Sequence, residues 1–263
     1  MQLIVDGIET FVATGGRAFD TALPPVVFLH GAGMDHSVWA LQSRWFAHHG
    51  WGVLAPDLPG HGRSAGAPLG SIAAMADWTI RLMAAAGVPG EAKAKLIGHS
   101  MGALVALDAA ARHPARVASI ALIGGAAAMP VSPDLLGAAK ANEHDAIDMV
   151  SIWGHGFHAS LGGSAVPGLW MAGGGERLLE RARPGVLFAG LAACNDYRDG
   201  EASAAKVAAP ATVILGERDL MTPLKAGKAL AAALPHAKTV VLPGAGHMLM
   251  TERPDEVLAA LIG

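Results

Sequence analysis

Residues 98–102 read Gly-His-Ser-Met-Gly, and Ser100 stands there between an apolar run and a helical stretch. The spacing is G-x-S-x-G, in which a strand turns so sharply into a helix that the serine hydroxyl is held exposed. Glycine is needed on both sides because a Cβ at either position collides with the turn's neighbours. A serine hydroxyl is almost wholly protonated at neutral pH, so it attacks a carbonyl only with a base beside it. Histidine is the natural base, since its pKa lets it take and return a proton near pH 7. Of the 12 histidines, His247 is the best placed, in the loop after the last apolar run and before the final helical stretch. The imidazole in turn needs an acceptor that fixes its tautomer. Asp219 is the preferred acid, in the turn that follows Leu215-Gly216. Glu217 competes with it but lies nearer the strand, where pairing with Arg218 or a neighbouring loop is expected. The developing oxyanion needs two N–H donors, and Met101 is expected to supply one from the positive end of the next helix.

The elements that must bring these residues together are legible as apolar runs. Leu3–Val5, Asp6-Gly7 and Ile8–Ala13 predict a hairpin, because Asp-Gly tolerates the positive φ of a two-residue turn. Val26–His30, Gly52–Pro56, Ala94–Gly98, Val117–Ile123, Ala211–Leu215 and Thr239–Leu242 are runs of the kind buried on both faces of a parallel sheet. Helical stretches lie between and after them at Ile72–Ala86, Met101–Arg112, Pro223–Leu234 and Pro254–Ile262. The last two begin with proline, where its missing N–H costs nothing. This alternation predicts an α/β fold with a mostly parallel sheet and helices on both faces.

From about Met129 to about Ala204 the rhythm breaks. The segment is rich in Gly, Met, Trp and His, with helical patches at Pro133–Met149 and Glu176–Ala182 and a Gly173-Gly174-Gly175 turn or hinge. It reads as an insertion over the sheet, giving a core of residues 1–128 and 205–263 and a cap of 129–204. Trp153, Phe157 and Trp170 are its candidate substrate contacts, because pockets are mostly apolar walls with a few polar groups. His155 and His158 are spaced as metal ligands could be, but no third ligand of suitable spacing appears, and no metal is expected.

Composition narrows the function classes. The 263 residues are 52% hydrophobic and 16% charged, with a formal charge of −3, which fits a well-packed core and argues against nucleic acid as a partner. The single cysteine, Cys194, excludes an internal disulfide framework and fits a reducing compartment. Met1–Asp6 lacks a signal peptide's basic start, and the longest uncharged apolar stretch is too short to span a bilayer. A cytoplasmic protein with no membrane partner is expected.

The chain resembles the α/β-hydrolase family. The likeness rests on His30-Gly31 after an early strand, Asp57-Leu58-Pro59-Gly60-His61-Gly62-Arg63-Ser64 after the next, the elbow at Ser100, Gly216-Glu217-Arg218-Asp219 and Gly246-His247. It implies an eight-stranded sheet with a cap inserted after the sixth strand, and the order Ser100, Asp219, His247 for the triad. It also implies Ala32 as the second oxyanion donor, with Gly33 as the fallback. His30-Gly31-Ala32-Gly33 departs from the His-Gly-Gly-Gly of many lipases, which points to the small, capped branch. Asp57 and His61 are expected to be structural, and His99 to pack near the site. A serine nucleophile excludes the family members that form alkyl esters on an aspartate. The resulting expectation is a cofactor-free serine hydrolase of a small to medium apolar carboxylic ester. The competing readings are a carbon–carbon bond hydrolase of aromatic degradation, a lactonase or a perhydrolase with the same triad, and a silent ligand-binding member. A homodimer is left open.

Overall fold

The computed structural model describes residues 1–163, 166 and 168–263. The chain opens with the hairpin of β1 (Gln2–Val5) and β2 (Ile8–Ala13). Its turn places Asp6 at φ 52° and Gly7 at φ 79°, the two positive angles that a type I′ turn requires. Then come β3 (Pro25–Leu29), β4 (Gly52–Pro56), β5 (Ala94–His99), β6 (Val117–Ile123), β7 (Ala211–Gly216) and β8 (Ala237–Leu242). Among the described residues these eight strands form one sheet in the order β1-β2-β4-β3-β5-β6-β7-β8. The β1–β2 and β2–β4 pairs are antiparallel and the rest are parallel.

The helices are α1 (Ala40–His48), α2 (Ile72–Ala85) and α3 (Met101–Arg112) before β6 ends. Between β6 and β7 lie α4 (Pro133–Ala141), α5 (Asp145–Gly154), α6 (Phe157–Ser160), α7 (Ala172–Glu180), α8 (Val186–Asp196) and α9 (Gly200–Lys206). The chain closes with α10 (Leu224–Ala233), α11 (Leu249–Glu252) and α12 (Pro254–Ile262). No helix among the described residues is long and apolar enough to cross a membrane.

Strand periodicity divides the core in two. Val27 and Leu29 of β3 join Leu54, Leu96, Leu122, Val213 and Leu215 on one face, under α2, α3 and α10. Val26 and Phe28 join Val53, Ile97, Ala121, Ile123 and Ile214 on the other, under α1 and α12. All are fully or almost fully buried, at about 1.5–3 kcal/mol for each large aliphatic or phenyl side chain. This two-sided burial is why the strands read as continuous apolar runs. It also leaves polar chemistry to the loops at the strand ends.

Two local expectations need correction. The helical patch at Pro133–Met149 is two helices, α4 and α5, broken where Asn142 adopts φ 56° as a left-handed cap. Asparagine tolerates that conformation almost as glycine does. Gly173-Gly174-Gly175 is no hinge but part of α7. A Cβ on Gly173 would lie 2.1 Å from Cε2 of Trp170, so packing outweighs the roughly 1 kcal/mol helix penalty of glycine.

Candidate active site

Ser100 joins β5 to α3 with φ 53° and ψ −116°. A non-glycine residue held there carries of order 1–3 kcal/mol of strain, sustained by its surroundings. The flanking glycines are what allow it. A Cβ on Gly98 would lie 2.0 Å from the carbonyl oxygen of Gly102, and one on Gly102 would lie 2.1 Å from that of Leu29. Strand β5 therefore meets α3, and α3 meets β3, backbone to backbone. The Ser100 N–H donates to Ile123 O at 2.9 Å, anchoring the turn to the end of β6.

The next residue, Gly124, lies under His247: a Cβ there would be 3.0 Å from His247 Nδ1. The imidazole is buried, and its Nδ1–H donates to Asp219 Oδ2 at 2.8 Å. That bond leaves Nε2 of a neutral ring as the acceptor. Asp219 is itself held by the turn after β7. Its Oδ1 accepts the N–H groups of Met221 and Thr222, both at 2.8 Å, and its Oδ2 accepts the Thr222 hydroxyl at 2.7 Å. Burial pushes the carboxyl pKa up, but the His247 charge and these hydrogen bonds outweigh it and hold Asp219 below the ordinary range. Glu217, the competing carboxylate, is exposed and accepts the Gly244 N–H at 3.0 Å.

His99 does more than pack. Its Nε2–H donates to the His247 carbonyl at 2.9 Å, and the two rings lie 4.7 Å apart. Burial pushes its pKa down to about 3, so it stays neutral beside the pair. Thr222 and this bond of His99 escaped the sequence reading. Asp219-Leu220-Met221-Thr222 carries the signature of a side-chain-capped turn, so Thr222 was findable. The acceptor of His99 lies 148 positions away, and nothing local signals it.

Ser100 and Ala32 open into a cavity of about 190 Å³. Its walls are Met129, Pro130, Val131, Ser132, Leu135, Trp153, Leu191 and Cys194 from the segment between β6 and β7, and Leu220, Met221 and Thr222 from the turn after β7. No charged side chain is among the described residues lining it. Cys194 is buried, and burial pushes its thiol up to about 12, so it presents an unreactive wall. Leu191 and Cys194 belong to α8, which the sequence reading did not recognise as a helix. Its Gly190 sits on the candidate oxyanion residues. A Cβ there would be 2.7 Å from Ala32 Cβ and 3.1 Å from Met101 Sδ.

The three aromatic residues expected at the substrate separate. Trp153 lines the Ser100 cavity, whereas Phe157 and Trp170 are 73% and 65% exposed and do not. Trp170 borders a different hollow with Val38, Met171 and Leu178. His155 and His158 also separate: His155 is buried with Nδ1–H donating to Ser151 O at 2.9 Å, and His158 is exposed. Asp57 is structural, accepting the His36 N–H at 2.8 Å, His36 Nδ1–H at 2.7 Å and the Arg63 N–H at 2.8 Å. His61 Nδ1–H donates to Pro59 O at 3.0 Å within the same loop.

Comparison with known proteins gives the family. A family model described as the alpha/beta hydrolase family matches residues 26–260. A pimeloyl-[acyl-carrier protein] methyl ester esterase of Chromobacterium violaceum is 32% identical, over 97% of each chain. One of Aromatoleum aromaticum is 30% identical, over 89% of this chain and 94% of that one. Among solved structures, the enol-lactonase of Burkholderia xenovorans LB400 superimposes with a TM-score of 0.86 at 25% identity, covering 100% of this chain and 98% of that one. A thermophilic esterase does so at 0.79 and 26%, covering 100% and 95%.

Proposed function

The chain belongs to the alpha/beta hydrolase family and is a hydrolase of ester bonds, and on that premise we propose that Ser100, His247 and Asp219 are its catalytic triad. The observation that carries this reading is the buried 2.8 Å His247–Asp219 bond packed over Gly124, the residue next to the Ile123 carbonyl that anchors Ser100 at φ 53° on an apolar cavity. His247 Nε2 takes the Ser100 proton as Oγ attacks the ester carbonyl carbon. The tetrahedral oxyanion accepts the Ala32 and Met101 N–H groups. Met101 is the first residue of α3, whose leading N–H groups have no intrahelical acceptor. Collapse returns the proton from His247 to the leaving alcohol and leaves an acyl-enzyme. Water, activated by the same imidazole, releases the carboxylic acid and restores Ser100.

Residues 129–204 serve as the cap, and Trp153, Leu135 and Leu191 form the apolar wall. A cavity of about 190 Å³ falls below the roughly 300–1,000 Å³ typical of drug-sized ligands, so the portion bound next to Ser100 is small. The absence of charge in the described lining favours an uncharged, apolar acyl or alcohol group there. A lactone is an internal ester, and the likeness to an enol-lactonase makes it the second reading. Both are tested by offering p-nitrophenyl esters of short and medium chains, a lactone panel and a fluorophosphonate probe to the wild type and to Ser100→Ala. Turnover and labelling that vanish in Ser100→Ala are expected. A wild type that neither labels nor hydrolyses any ester overturns the assignment, and exclusive lactone turnover selects the second reading.

A further inference from the structure

Glu252 has no part in the chemistry described above, yet its carboxylate is buried beside the loop that carries His247. One oxygen, Oε2, accepts two backbone N–H groups, from Gly156 at 3.1 Å and from Gly246 at 3.0 Å. These glycines belong to different regions. Gly156 lies between α5 and α6, and Gly246 immediately precedes His247. Two residues before Gly156, the Gly154 carbonyl accepts the N–H groups of both His247 and Met248, each at 2.9 Å. With His99 donating to the His247 carbonyl, both main-chain polar groups of His247 are occupied. One is held by the end of β5 and the other by the segment between β6 and β7.

The approach is too close for side chains. A Cβ on Gly246 would lie 2.4 Å from the Gly156 nitrogen, and one on Gly156 would lie 2.8 Å from Glu252 Oε2. The main chain of Glu252 is held in its own turn, where its N–H donates to Met248 O at 3.0 Å. Glu252 thus ties Gly156 to Gly246 just before His247, while the Gly154 carbonyl holds the N–H groups of His247 and Met248.

We propose that Glu252 is a positioning residue for His247: by joining Gly156 to Gly246 it makes residues 154–156 the seat of the catalytic imidazole. The inference rests on His247 being the proton carrier. Misplacing a catalytic group by about 1 Å costs on the order of 100-fold in rate, so a seat that slackens acts on kcat and not on substrate affinity.

The test is the hydrolysis of one p-nitrophenyl ester by the wild type, Glu252→Ala, Glu252→Gln and Ser100→Ala, with active sites counted by fluorophosphonate labelling to completion. Glu252→Ala strips two buried N–H groups of their acceptor. Its kcat per labelled site is expected to fall about 10- to 100-fold with KM changed less than about threefold. Glu252→Gln keeps an oxygen able to accept both N–H groups and is expected to recover to within about fivefold of the wild type. A Glu252→Ala enzyme with fewer labelled sites but unchanged kcat per site has lost stability alone, and the proposal falls. If Glu252→Ala does not fold, Gly156→Ala, which wedges a methyl against the carboxylate, carries the same expectation and the same refutation. A wild type no faster than Ser100→Ala overturns the triad itself, which separates the two failures.

Discussion

Among the described residues, two histidine–aspartate pairs sit on buried aspartates at strand ends, and one of them lies by the turn that carries the candidate nucleophile. His247 Nδ1 meets Asp219 at 2.8 Å, and His36 Nδ1 meets Asp57 at 2.7 Å. Each aspartate also accepts backbone N–H groups, and burial of each carboxyl is outweighed by its histidine and hydrogen bonds, holding both below the ordinary range. Distance and charge therefore do not distinguish them. Their surroundings do. His36 rests on the Phe11 ring at 4.8 Å, and its main-chain N–H is bound by the same carboxylate oxygen as its ring. His247 lies over Gly124, one residue past the Ile123 carbonyl that anchors Ser100. Both imidazoles are held at Nδ1, so what separates them is place: His36 and its backbone close a loop on Asp57, whereas His247 sits on the strand-end loop next to the turn that carries Ser100.

Matched substitutions break this comparison at its largest difference. Asp219→Asn is expected to lower kcat about 10⁴-fold, roughly 5 kcal/mol of transition-state stabilisation, through the wrong His247 tautomer. Asp57→Asn should leave kcat within a few-fold. Steady-state hydrolysis of one ester measures both, and comparable losses at the two sites would erase the distinction drawn here.

Acid sharpens it next, because each pair has a buried neutral imidazole nearby. Burial pushes both His99 and His61 down to about 3. Below the unfolded pKa near 6.5 the unfolded chain binds protons that the folded chain refuses. Stability is then lost as pH falls from about 6.5 toward about 3, by about 1.4 kcal/mol per pH unit for each group. Urea unfolding at pH 7, 6 and 5 measures the slope, and His61→Gln should lower it. A slope unchanged by that substitution would show that His61 takes up protons equally in the folded and the unfolded chain.

Asp57→Asn should cost about 1–3 kcal/mol of stability by disturbing buried donors, read as a lower urea midpoint at an unchanged m-value. Trp153→Ala and Trp170→Ala give the smallest contrast. The first widens the Ser100 cavity and is expected to raise KM for short esters several-fold, while the second leaves it unaltered. A Trp170→Ala enzyme with the larger KM change would move the substrate to the other hollow.

The same two loops show what can be read without coordinates. Gly98-His99-Ser100-Met101-Gly102, the strand-end position of Asp219 and the loop position of His247 are local signals, each forced by a turn or by the chemistry that follows it. The parallel strands were equally legible, because burial on both faces leaves uninterrupted apolar runs. The region between β6 and β7 was read only in outline. Helix α8 hides behind a near-uniform apolar sequence, Val186–Cys194, in which no stripe stands out because the sheet loop and the cavity occupy different sides of it. Nothing in the sequence singles out Glu252, since its partners lie 96 and 6 positions away and only the folded chain unites them.

The seat of Gly190 against Ala32 and Met101 has a bearing on how this enzyme can be retailored. The helix that lines one side of the Ser100 cavity also packs its Gly190 against Ala32 and the side chain of Met101, the two proposed oxyanion donors. Remodelling α8 to admit a bulkier molecule should therefore slow turnover of every molecule at once. Selectivity is better sought across the chamber, at Leu135, Trp153 or Leu220, where the wall can be recut without shifting the donors.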